Sequence, residues 1–232
     1  MPLDGYYNLG EVIKMSIKKN VGIFLIVFLG FLPGIFFWSE LPSLVPIHWG
    51  LSGDINGTTA RLQAVILVPL INAALFCFLL FLPKMDPKRE NYAKFKTTYE
   101  LFRWIIHLFL TLLQVFVIWN AVLIFRGDHP LNVATFLPPF IGLLFVILGN
   151  YTTRVRPNYF VGIRTPWTLA DEHVWEQTNR FGGKVFVIVG IIGILSLLFP
   201  AAIRFYFFVI PLLIGIVAIV VYSYVVFRNK FK

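Results

Sequence analysis

The chain has 232 residues, of which 58% are hydrophobic and only 13% charged, with a formal charge of +9. Soluble domains carry roughly 25% charged residues, so a soluble globular protein is excluded and an integral membrane protein is the expected class. One cysteine, Cys77, lies in an apolar run; it excludes an intrachain disulfide framework and reads as a small buried hydrophobe.

From the N-terminus, Asp4 and Glu11 and the lack of a small-residue cleavage site speak against a cleavable signal peptide. Leu9, Val12, Ile13 and Ile17 recur at helical spacing, with Lys14, Lys18 and Lys19 mostly opposite. That pattern predicts a basic amphipathic segment over residues 1–20, lying at the membrane surface. A membrane helix needs about 20 apolar residues to cross a core about 30 Å thick. Six runs qualify: Val21–Ser39, Ala64–Leu82, Trp104–Phe125, Val133–Tyr151, Val185–Ile203 and Phe205–Phe227. The expected fold is therefore all-α, six spans, one membrane domain. Its parts are 21–151 with an outer loop at 40–60, a structured segment at 152–184, and 185–232 with the last two spans and a basic tail. Pro33, Pro69, Pro138, Pro139, Pro200 and Pro211 fall in or near the runs and predict kinks rather than breaks.

Basic residues set the expected orientation. Three precede the first span, six lie between the second and third, five between the fourth and fifth, and three follow the sixth; the opposite side keeps Arg61, Arg126 and Arg204. The positive-inside rule places both termini in the cytoplasm of a multi-pass plasma-membrane protein. The charge of +9 is then mostly a topology signal, and direct nucleic-acid binding is not expected.

Three polar regions are candidate sites. In the outer loop, Pro42 and Pro46 stiffen the chain, Gly50, Gly53 and Gly57 permit turns, and His48, Trp49 and Asp54 offer recognition groups. His48 with Asp54 is too small and mixed a set to specify a metal, so no metal or other cofactor is expected. In the third span Arg103, His107, Thr111 and Gln114 form one helical stripe. They read either as interhelical glue or as a cavity lining with a titratable His107. No Asp or Glu falls inside a span, which counts against an ion-coupled carrier.

The longest polar interval is Asn150–Lys184. Thr168 or Asp171 can cap a helix through Ala170–Arg180, with Gly182 and Gly183 ending it and Trp167 and Trp175 anchoring it at the interface. Binding residues expected here are Asn150, Arg156, Asn158, Arg164, Thr165, Trp167, Trp175, Thr178 and Arg180. Arg164 stands out because topology alone does not require it between Gly162 and Pro166.

The strings Gly149–Tyr151, Arg156–Asn158, Gly162–Leu169, Val174–Trp175 and Thr178–Gly183 resemble the SdpI family signature. Asn179 departs from it, since the family usually has His there. The loop string P-I-H-W-G-L-S-G-D, from Pro46 to Asp54, resembles a membrane module of unknown function that accompanies the family. The resemblance implies immunity to, or sensing of, a secreted toxic peptide, with a small cytoplasmic repressor as a possible partner. A solute transporter or channel is the alternative. A membrane enzyme is a third reading, with His48 and Asp54 or Arg164 and Glu176 as candidate pairs, although no P-loop, His-Glu metal pattern or Gly-x-Ser-x-Gly is present.

Overall fold

A computed structural model describes residues 20–50 and 53–230; the amphipathic segment expected over residues 1–20 lies almost wholly outside them. Among the described residues, six apolar helices and one β-hairpin make up most of the fold. Helix α1 spans Asn20–Phe36. The hairpin pairs β1 (Leu44–Trp49) with β2 (Ile55–Ala60). The remaining helices are α2 (Arg61–Met85), α3 (Lys96–Arg126), α4 (Val133–Thr152), α5 (Glu172–Leu195) and α6 (Ala201–Lys230). Helices α2 to α6 are long and apolar enough to cross a membrane, and α1 is shorter. The chain is thus a mostly helical, multi-pass membrane protein. Its large exposed hydrophobics, such as Ile35, Leu62, Leu213 and Val217, are what a lipid-facing surface requires. Cys77 is on that exposed surface rather than in the core, because its stretch of α2 faces outward.

The expected outer loop is instead an antiparallel hairpin with an irregular register around Pro46, His48 and Trp49. Gly53 turns it with φ +93°, a conformation that side chains resist. Leu41 and Val45 carry the hairpin onto Ala64, Val65, Ile118, Ala121 and Val122 of α2 and α3. This is the hairpin end of the molecule; the other end holds most of the Lys and Arg and is called the basic end.

Prolines bend the helices and leave carbonyls free, and polar side chains take them up. In α1, Gly30 N–H and Phe31 N–H turn to Val27 O (3.1 Å) and Phe28 O (3.0 Å) ahead of Pro33, leaving Ile26 O to accept from Thr111 Oγ1 at 3.0 Å. Pro69 has no N–H for Val65 O; Gln114 Nε2 donates there at 3.3 Å and to Ala64 O at 3.1 Å. Arg204 donates from Nε to Ser196 O and Phe199 O, both at 3.1 Å, where α5 has ended.

Two expectations about α5 are overturned. Gly182 and Gly183 do not end a surface helix: α5 runs unbroken from Glu172 to Leu195. These glycines are needed for close approach. Gly149 and Gly183 abut, as do Gly142 and Gly190, and a Cβ on any of the four would lie 2.5–2.6 Å from a backbone oxygen of the opposite helix. Small residues at seven-residue spacing let α4 and α5 touch backbone to backbone. Gly190 and Gly193 are therefore spent within the chain. The fifth apolar run also stops earlier than Ile203: α5 passes into a 3₁₀ turn at Ser196–Leu198, and Pro200 starts the next element.

Candidate functional site

Between α4 and α5 the chain folds into a cap on the basic end. Its organising group is Asn158, which is fully buried. Its Oδ1 accepts from Phe160 N (2.9 Å) and Val161 N (2.6 Å), and its Nδ2 donates to Arg156 O (2.8 Å) and Val161 O (2.9 Å). One side chain thus replaces the backbone pairing that a helix or sheet would supply. A second asparagine repeats the device: Asn179 Oδ1 accepts from Ile163 N at 2.9 Å, while Nδ2 donates to Trp175 O at 3.0 Å. Asn179, the departure from the family pattern, is a buried structural tie. Gly162 beside it has φ +103°.

Thr165 caps the short helix Pro166–Ala170, and its side chain exchanges bonds with Thr168 in a capping box. Asp171 caps α5 by accepting from Val174 N at 3.0 Å and pairs with Lys230 at the end of α6. Both contacts hold the Asp171 carboxyl below its ordinary range, Lys230 contributing most. A depressed folded-state pKa gives stability that is present above the unfolded value, about 3.9, and is lost as pH falls through the folded one. Asp171→Asn keeps a good cap but cannot titrate. Thermal unfolding followed from pH 7 downward should therefore show a shallower acid decline for this variant than for wild type. Identical acid limbs would remove Asp171 from the account.

Trp175 is not an interfacial anchor. It is fully buried, and its Nε1 donates to Val155 O at 2.9 Å. Apolar helix faces meet here: Trp175 and Val155 pack with Leu82 of α2, Phe102 of α3, and Tyr92, Phe95 and Tyr99. The other tryptophan, Trp167, is partly exposed and lies against Tyr224 of α6, with ring centroids 5.2 Å apart.

The loop between α2 and α3 completes the cap, and it carries a residue that motif reading passed over. Asp86, 2% exposed, accepts from Lys88 N (2.7 Å), Tyr92 OH (3.0 Å) and Tyr159 N (2.9 Å). Burial and the bond to Asp86 raise the Tyr92 pKa, so its hydroxyl remains a donor. Asn91 Nδ2 adds a bond to Pro157 O at 2.8 Å. The available signal was the Tyr92, Phe95, Tyr99 spacing, one apolar face following an acid at the end of a span.

The surface of the cap is cationic. Arg156 pairs with Glu176 at 2.8 Å, so Glu176 is not the partner of Arg164. The Arg164 side chain donates to Tyr159 O at 2.9 Å. Arg154 stacks on Tyr151 at 4.8 Å and Lys88 on Tyr159 at 5.7 Å. Arg164 and Arg180 are exposed, whereas Thr165 and Thr178 are buried. The cap therefore brings Arg156, Asn158, Arg164, Thr165 and Trp175 into one unit. Asn150 is exposed where α4 ends.

The other two candidate regions are separate. On the hairpin, His48 Nδ1 bonds Asn56 Oδ1 at 2.5 Å. Gly57 lies against His48, and Gly53 against Asn132 at the start of α4; Trp49 packs at the edge of the hairpin core. The α3 stripe is buried throughout. Arg103 donates to Asn20 Oδ1 at 2.6 Å. His107 Nδ1 meets Asn72 Oδ1 at 2.7 Å, and Asn72 Nδ2 reaches Thr111 Oγ1 at 3.2 Å. Arg103 Nε, His107 Nε2 and Gln114 Oε1 have no partner among the described residues.

Residues 154–224 match the SdpI/YfhL protein family. Over that stretch the chain is similar to the SdpI family. Residues 25–73, covering most of α1, the hairpin and the first half of α2, match a domain of unknown function, DUF1648. The immunity protein SdpI of Bacillus subtilis (strain 168) is 27% identical over 181 residues, 77% of this chain and 82% of that protein. No solved structure gives a significant match. The matched residues 154–224 include most of the cap and all of α5.

Proposed function

We propose that this chain protects the membrane that holds it against a secreted toxic peptide, with the hairpin end facing outward and the cap in the cytoplasm. Six spans and cytoplasmic termini fit the asymmetry of Lys and Arg between the two ends. The observation that carries the reading is the likeness to an immunity protein over 82% of that protein's length. Two polar ends on opposite faces suit a receptor: the hairpin, with His48, Trp49 and Asp54, meets the peptide. The cap, with Arg164 and Arg180 exposed, meets an acidic surface of a cytoplasmic protein such as a small repressor. Transport is less well supported, because Thr111 and Gln114 spend their bonds on carbonyls freed by kinks rather than facing a water-filled path. No catalytic group is assigned.

A survival assay tests this. A sensitive bacterial strain expressing the chain is challenged with secreted peptide toxins, and survival is compared with an empty vector and with Arg164→Ala. The wild type should protect against at least one toxin. Arg164→Ala should remain in the membrane at normal abundance, since it loses one exposed bond, yet lose any response that passes through the cytoplasm. Survival equal to the empty vector across the toxin set would sink the immunity reading.

A further inference from the structure

Helix α1 packs against both α2 and α3. Near its start Gly22 lies against α3, where a Cβ would sit 2.4 Å from the Trp104 ring. Beyond the turn at Gly30 and Phe31, Gly34 lies against α2, where a Cβ would sit 2.4 Å from Val65 Cγ1. Just past the end of α1, Phe37 still meets Trp119 of α3, and a wedge is left between the two helices toward the hairpin end. That wedge is a groove of about 560 Å³, inside the range of roughly 300–1,000 Å³ typical of ligand sites. Leu29, Phe36, Leu112, Val115 and Trp119 are among its walls. Thr111, the one hydroxyl on the lining, is engaged by Ile26 O and Asn72 Nδ2.

The mouth of the groove is cationic and aromatic. Phe37 and Trp119 meet edge to face there, 5.8 Å between centroids. Arg126 stacks over Trp119 at 5.9 Å, and Arg61 over the neighbouring Trp38 at 5.5 Å. Arg126 also bonds Glu40 at 2.6 Å, yet its side chain is 42% exposed. Arg126 thus stands at the mouth against Trp119 of the lining, and Arg61 lies over Trp38, the residue after Phe37 of the lining.

We propose that the groove between α1 and α3 holds one acyl chain of an anionic phospholipid from the leaflet at the hairpin end, with the lipid phosphate at Arg126 and Arg61. The groove lies within the apolar spans, where the surrounding medium is hydrocarbon and an apolar concavity offers water no partners. Tryptophan and arginine at the mouth suit the headgroup depth, the ring on the apolar side and the guanidinium on the phosphate.

The test is native mass spectrometry of the full chain in mild detergent, titrated with phosphatidylglycerol and, separately, phosphatidylcholine. The wild type should saturate at one tightly held lipid, with phosphatidylglycerol preferred. Val115→Trp, which fills the groove, should weaken that binding about tenfold or more. Arg126→Gln should cut the preference for phosphatidylglycerol about fivefold while leaving acyl-chain binding in place. A wild type that gains lipids without a plateau at one overturns the proposal, and this result needs no variant to fold. So does Val115→Trp with unchanged retention. Saturable uptake of an apolar helical peptide that Val115→Trp abolishes, without any retained lipid, overturns it in favour of a peptide groove.

Discussion

Trp175→Ala should lower the stability of the folded chain by about 3–5 kcal/mol, the usual cost of deleting a buried aromatic. Its ring belongs to one buried cluster with Val155, Leu82 and Phe102, drawn from the cap, α2 and α3. The indole N–H also satisfies the Val155 carbonyl, which would be left buried without its donor. Trp175→Phe separates the two effects. It keeps most of the volume and should cost about 1 kcal/mol, a single buried bond. Thermal unfolding in lipid nanodiscs gives the order wild type, Phe, Ala. Trypsin adds a local reading, because Arg154, Arg156 and Arg164 become faster cleavage sites once the cap loosens. An alanine variant with wild-type melting and cleavage would show that the cap does not depend on this ring.

Gly190→Val should be worse. A Cβ at Gly190 meets Gly142 O at 2.5 Å and Val146 N at 2.8 Å. Both are backbone atoms of α4, so no rotamer relieves the clash and the helices must separate along the seam. Overpacking typically costs about 1–3 kcal/mol when side chains can yield; here they cannot, and about 3 kcal/mol or more is expected. Size-exclusion profiles and melting temperatures in detergent measure it. Gly50→Ala is the control, since the nearest atoms lie 3.5 Å away, in ordinary contact. Equal behaviour of the two variants would remove the seam as the basis of α4–α5 packing.

Apolar run lengths made the helices legible, because in hydrocarbon a spanning backbone must satisfy itself and run long. The positions of α2, α3, α4 and α6 follow the runs closely. The continuity of α5 was not legible. Gly182 and Gly183 carry the same signal whether they end a helix or admit a neighbouring backbone, and only the partners at Gly149 and Thr153 decide between the two. The hairpin was hidden for a related reason: Pro, Gly, Asn and Asp mark turns, while β1 and β2 are held largely by docking Leu41 and Val45 on α2 and α3. At the site, the R-T-P-W-T-L string pointed to the cap, and Arg164 and Thr165 lie in it. The string could not reveal that Asn158 and Asn179 tie backbone, or that Asp86 closes the cap from a loop more than seventy residues earlier. Such ties depend on proximity across the fold, to which local spacing is blind.

The glycine seam has a mechanical side. With backbone against backbone at Gly142 and Gly190 and again at Gly149 and Gly183, α4 and α5 have no side-chain cushion at those two points to absorb displacement. They form a single stiff rod. One end of that rod, at Asn132, bears on the hairpin tip at Gly53; the other carries Trp175 in the cap. A displacement of Asn132 by the hairpin would therefore bear on one end of a rod whose other end holds Trp175.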